Sequence, residues 1–186
     1  MRVLAMAVMI AATACSSDSV SSEGDARNAY LGLDLSIDKA MTLGFAGFNS
    51  ALSANISPQT TNGTATGTLT VSGQVDQGAS ANKGMRLFTA FANYSDNGEI
   101  TYNTSSAALP ALNIMLANIP TGTLTGTLVG NVTMTGEEEG NLMLNLSFVG
   151  EIQSGVGGIV ERKPGTTRIT GTATSAAGTF NVDVTR

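Results

Sequence analysis

Few residues in this chain carry side chains that do covalent or acid–base chemistry. There is no histidine and a single cysteine, which excludes an imidazole base, a histidine metal ligand and an intramolecular disulfide. The clearest catalytic pattern is Ser36-Ile-Asp-Lys39. On one turn of a helix, the lysine amine would lower the cost of deprotonating the serine hydroxyl. The pattern is therefore typical of a serine nucleophile that is activated by a lysine.

This pattern resembles the first element of the penicillin-recognising serine enzymes, and Ser95-Asp96-Asn97 matches their second element. Their third element, Lys-Thr-Gly on a strand, is absent, and Lys163-Pro-Gly165 does not replace it. The chain is also short for that enzyme fold, and Asp-Asn-Gly is by itself a hairpin turn signal. We therefore predict no catalytic residues and keep the Ser36–Lys39 hydrolase as an alternative only.

Three adjacent glutamates, at positions 137–139, offer the oxygen ligands that a hard cation such as calcium prefers. They lie between two stretches with strand periodicity, where charged residues are typical of a solvated hairpin tip. We expect a turn here, and we predict neither a metal site nor a cofactor.

The N-terminus contains the only cysteine, Cys15, at the end of an apolar run over residues 3–14 that follows Arg2. The run is shorter than the roughly 20 residues of a membrane-spanning helix and fits the apolar core of a signal peptide. Small residues before Cys15 and a polar stretch after it resemble a bacterial lipoprotein signal, in which the cysteine receives acyl chains such as palmitate. Ordinary cleavage after Ala14, which leaves a free thiol, is the alternative.

The resemblance implies a signal peptide over residues 1–14, a lipidated Cys15 with a flexible tether over 15–28, and one domain over 29–186. Ser16 resembles the residue that directs such proteins to the outer membrane, so we expect a periplasm-facing lipoprotein there. Net charge is −5 and there is no basic cluster, which argues against nucleic acid as a partner. The membrane contact is therefore assigned to the lipid on Cys15.

The spacing of apolar residues predicts one helix over 34–52, because Ile37, Met41, Phe45, Phe48 and Leu52 recur every three or four positions. Gly44 and Gly47 weaken this helix, since each costs about 1 kcal/mol in a helix interior. A competing interpretation is a strand over 30–37, in which every second residue is Leu or Ile.

The rest of the chain alternates apolar and polar residues, as half-buried antiparallel strands do. The alternating segments are 64–75, 85–94, 99–102, 112–119, 123–136, 141–153, 168–174 and 179–185. We predict an all-β fold with one N-terminal helix. We expect the antiparallel sheet to be strongly bent, in the form of a half-barrel or a sandwich. It should contain roughly seven to nine strands, with the helix packed into it.

Two functions remain open for this domain. The first is a non-catalytic structural or interaction module of the cell envelope, with an envelope protein as partner. The second is a carrier of an apolar ligand such as an acyl chain, bound in the concave sheet. The candidate lining of that cavity is apolar and soft: Phe45, Phe48, Phe88, Phe91, Met115, Met134 and Phe148.

Overall fold

The computed structural model describes residues 18–76 and 78–186. Within these residues there is one α-helix, α1, which spans Glu23–Ser50. Ser22 caps the start, since its side chain accepts a hydrogen bond from the Asp25 backbone N–H at 3.1 Å. Glu23 and Asp25 in the first turn also stabilise the helix, because their negative charges lie at the positive end of the helix dipole.

The helix begins well before the predicted residue 34. Its first three turns bury Ala26, Ala29, Tyr30 and Leu33 at helical spacing, but the alternating leucines at 31, 33 and 35 also fit a strand and hide this pattern. Val20 is already buried against the domain. A flexible tether was predicted over 15–28. That prediction is wrong for residues 18–28, because these residues are folded as β1, the helix cap and the start of α1. The competing strand over 30–37 is also wrong: Leu33 and Ile37 share the buried helix face, while Leu35 is 46% exposed.

In the part of the chain that the structure describes, eleven strands form one sheet, in which every strand pairing but one is antiparallel. Their bounds match most of the predicted segments closely. They are β1 (Asp18–Ser19), β2 (Asn55–Asn62), β3 (Thr66–Val75), β4 (Lys83–Ser95), β5 (Ile100–Asn103), β6 (Ala111–Ala117), β7 (Thr123–Gly136), β8 (Glu138–Ser154), β9 (Val160–Arg162), β10 (Arg168–Thr174) and β11 (Thr179–Thr185). The number exceeds the predicted range because β1 and β9 are very short and β2 carries Pro58 and few apolar residues.

The sheet runs in the order β11-β10-β8-β7-β5-β4-β3-β2. Strand β6 also pairs with β4 and β7, β9 pairs with β8, and β1 pairs with β8 in parallel. Helix α1 contacts both ends of this order, β2 and β11, as well as β3, β4 and β9. The sheet therefore curves around the helix, and the helix lies in the opening between its two edges. The predicted fold class is confirmed.

The core lies between the concave face of the sheet and α1. Alternate residues of the long strands point into it, among them Leu69, Leu128, Leu144 and Phe148, each 3% exposed or less. Gly126, on the inward face of β7, lies against the ring of Phe148, and a Cβ there would overlap that ring. The space left by the glycine is therefore filled by the protein's own side chain.

Glycines on the buried side of α1 let the helix approach the sheet closely. A Cβ at Gly32 would overlap the hydroxyl of Tyr102, and one at Gly47 would lie 2.9 Å from the side chain of Ile56. The Tyr102 hydroxyl donates a 2.6 Å hydrogen bond to the Ala29 carbonyl. Close packing thus offsets the low helix propensity of these glycines.

Candidate functional site

The residues predicted to line a ligand cavity do not meet in one place. Phe91, Met134 and Phe148 are buried in the core at 3% exposure or less. Phe45 and Phe48 of α1 are partly buried against that core. Phe88 and Met115 are about half exposed, at 48% and 55%, and do not belong to the core. The concave face of the sheet is occupied by α1 and these core side chains.

A recess lies instead on the outward side of α1, between β2 and the hairpin formed by β8 and β9. We call it the helix groove; its main part has a volume of about 490 Å³. The groove continues toward the end of α1, where it lies between helix residues 42–49 and the tip of the β8–β9 hairpin, residues 155–159. The main part is lined by Leu35, Asp38, Lys39, Thr42, Leu43, Thr61, Ile159, Glu161, Arg162 and Pro164.

A buried ion network forms one end of the helix groove. The Arg162 guanidinium donates to Asp34 at 2.9 and 3.0 Å and to Asp38 at 2.7 and 2.8 Å. The Tyr30 hydroxyl donates to Asp34 at 2.6 Å, and Arg186 donates to the same carboxylate at 3.2 Å. The Arg162 and Asp34 side chains are only 6% and 3% exposed. The network therefore fastens β9 and the last residue to the middle of α1.

The charge states of this network follow from its contacts. Burial by itself raises the pKa of Asp34, but hydrogen bonds and charge from Arg162, with Tyr30 and Arg186, hold that pKa below its usual value. Burial also opposes the charged form of Arg162, yet Asp38 and Asp34 raise its pKa. Burial, followed by the Asp34 carboxylate, raises the pKa of Tyr30, so its hydroxyl remains a donor.

The lowered pKa of Asp34 predicts a pH dependence of stability. The contribution of Asp34 is complete above its unfolded pKa of about 4 and is lost as pH falls through the lower folded value. We expect the difference in unfolding free energy between wild type and Asp34→Asn to stay constant from about pH 5 to 8 and to shrink below about pH 4. Urea unfolding across this range measures it, and a difference that persists unchanged in acid would contradict the assignment.

A second network joins α1 to the turn between β4 and β5. The Lys39 amine forms an ion pair with Asp96 at 2.5 Å and donates to the Asn62 carbonyl at 3.1 Å. Asp96 also accepts hydrogen bonds from the Thr64 backbone N–H and from the Tyr94 hydroxyl. Burial raises the pKa of Asp96, but the hydrogen bonds, that of Lys39 first, bring it below its usual value.

The two pieces of the hydrolase pattern are thus joined by an ion pair. Ser36 is buried at 3% exposure, and the Lys39 amine is held by Asp96. Asn97 forms the predicted hairpin turn, since its side-chain oxygen accepts hydrogen bonds from the N–H groups of Glu99 and Ile100. In this geometry Lys39 ties the helix to the sheet, and the Ser36 side chain is shielded from solvent.

The glutamates at 137–139 lie between the last paired residues of the β7–β8 hairpin, Met134 and Gly140, but Glu138 and Glu139 already belong to β8, so the solvated turn expected here is wrong for Glu138. Glu138 is 7% exposed and pairs with β1.

Within residues 18–76 and 78–186, no group of three or more acidic, cysteine or histidine side chains is arranged to hold a metal ion. In the same part of the chain, no helix is both long and apolar enough to cross a membrane.

Sequence reasoning missed the network of Tyr30, Asp34, Asp38, Arg162 and Arg186. One local signal was present: an Asp at 34, four residues after a Tyr and within the buried stripe of Leu33 and Ile37.

Cys15 lies outside the residues that the structure describes. In comparisons with known proteins, no family model matches the chain, and no curated protein or solved structure matches it significantly.

Proposed function

We propose that this chain is a lipid-anchored β-domain of the bacterial cell envelope that acts, without catalysis, as an interaction module. In this proposal Cys15 carries the acyl chains and holds the domain at the outer membrane, facing the periplasm. The helix groove is the surface that recognises an envelope protein. No ligand, metal or cofactor is part of this function.

The observation that carries the proposal is that α1 fills the concave face of the sheet. A carrier needs an interior space of several hundred cubic ångströms, but here that space holds Tyr30, Leu33, Ile37 and Met41 of the helix, all 1% exposed or less. The helix groove, by contrast, is a recess of the surface. It therefore suits contact with another macromolecule better than enclosure of an acyl chain.

The composition of the groove also supports a protein partner. Leu35 and Ile159 are exposed on it by 46% and 49%, and they are the kind of aliphatic residues that a partner covers. Charged residues beside them, Asp38, Lys39 and Arg162, are already paired within the domain. The Glu161 carboxylate, also in the groove, accepts a 2.8 Å hydrogen bond from the Gln153 amide. A partner can thus bury the apolar residues while the neighbouring charged groups keep their hydrogen-bond partners.

We expect Leu35→Arg and Ile159→Arg to abolish partner binding, since each places a charge where an apolar contact is required. Chemical cross-linking in intact envelopes measures this, and the yield of the cross-linked complex should fall at least about tenfold. Met115→Arg is the matched control, because Met115 is equally exposed but lies outside the groove. Unchanged thermal unfolding of all three variants confirms that they fold.

Two results would contradict the proposal. One is a cross-linked complex that survives both groove substitutions. The other is a stoichiometric apolar ligand that co-purifies with the domain in native mass spectrometry and disappears in the groove variants, which would favour the carrier instead.

A further inference from the structure

The first described residues are fixed to one end of the domain. Strand β1 pairs with the start of β8, where Asp18 lies opposite Glu138 and Ser19 opposite Glu139. The Val20 side chain is fully buried, and its carbonyl accepts a 2.6 Å hydrogen bond from the Ser175 hydroxyl. We call this region, formed by residues 18–22, the 137–139 turn and the 175–178 turn, the entry end.

The distance from the entry end to Cys15 is short. Residues 16 and 17 alone separate Cys15 from Asp18. An extended chain advances at most about 3.3–3.6 Å per residue, so the chain between Cys15 and β1 can span no more than about 11 Å. The tether is thus too short to let the domain move far from its lipid.

The opposite end of the domain lies a full helix length away. Helix α1 has 28 residues and is therefore about 42 Å long. Strand β8 runs from the entry end at Glu138 to Ser154, and the hairpin tip that follows packs beside Ala46 and Asn49 near the end of α1. Val156 on this tip is 94% exposed.

We propose that the entry end is held against the phospholipid headgroups and that the 155–159 tip, with the open end of the helix groove, points away from the membrane. This orientation rests on the proposed lipid on Cys15. It leaves the groove accessible to a partner in the periplasm, while the turns at 137–139 and 175–178 face the lipid.

Charge attraction does not produce this contact. Glu23, Asp25, Glu137 and Glu139 all lie at or next to the entry end, and acidic side chains are repelled by anionic headgroups. The short covalent tether has to impose the orientation. The domain without its lipid is therefore expected to stay off neutral and anionic vesicles.

Single tryptophans test the orientation, because the chain has none of its own. Ala176→Trp places the probe in the exposed turn of the entry end, and Val156→Trp places it on the distant tip. The full-length lipidated protein is bound to phosphatidylcholine vesicles with a nitroxide on the headgroup. We expect the fluorescence at position 176 to be quenched several-fold more than that at position 156, whereas equal or reversed quenching overturns the orientation.

Flotation and the mass of the N-terminus separate this failure from a failure of the anchor. A protein that is not acylated and does not float with vesicles overturns the anchor, and the orientation with it. An acylated protein that floats but shows equal quenching overturns the orientation alone. A flexible insertion between Ser17 and Asp18 should reduce the quenching at position 176; undiminished quenching would count against the short tether as its cause.

Discussion

Arg162→Met is expected to destabilise the domain by about 3–5 kcal/mol, because it leaves a buried carboxylate without its main partner. Asp34 would keep only the Tyr30 hydroxyl and the half-exposed Arg186. The change would also release β9 from the helix and so widen the helix groove. Urea unfolding measures the loss, with Cys15 replaced by serine so that the domain stays in solution.

Arg168→Met is the matched control for this substitution. Arg168 also lies on a strand and also makes a two-pronged contact with an aspartate, Asp183, but both side chains are exposed by more than half. Water screens that pair, so its loss should leave stability unchanged within error. If the two variants unfold at the same urea concentration, the buried network does not stabilise the fold as described.

Much of the fold follows from the sequence because one face of each long strand is buried. The alternation over 123–136, 168–174 and 179–185 coincides with β7, β10 and β11 residue for residue. Strand β2 was not predicted, because Pro58 and polar residues leave its segment without alternation. Its pairing with β3 makes this segment a strand. The early turns of α1 were not predicted as helix, because the alternating leucines at 31, 33 and 35 also fit a strand.

The candidate site was predictable only in part because its contacts join distant positions. Lys39 and Asp96 were both singled out from short patterns, but the ion pair between them depends on the helix lying inside the sheet. Arg162 lies 128 positions after Asp34, in a segment without periodicity, and nothing local pairs the two. Whether α1 would fill the concave face or leave it open was likewise a matter of packing, which Gly32 and Gly47 decide.

Cys15→Ser is expected to move nearly all of the protein from the membrane fraction to the soluble fraction. The variant lacks the thiol that receives the acyl chains, and the described residues provide no helix that spans a membrane. Ultracentrifugation of envelopes followed by immunoblotting measures the distribution.

Ser17→Ala is the control for this experiment, because it alters the same segment and leaves the thiol intact. It should remain in the membrane fraction. A Cys15→Ser protein that also remains there would contradict the anchor, and extraction by high salt would then reveal whether a surface of the domain binds the membrane instead.

The most direct test of the account is the mass of the mature N-terminus, measured on protein extracted from membranes with detergent. With the proposed lipid anchor, the mature chain begins at Cys15 and its N-terminal peptide carries acyl chains. A mature chain with an unmodified thiol at Cys15, or one that retains residues 1–14, would contradict it.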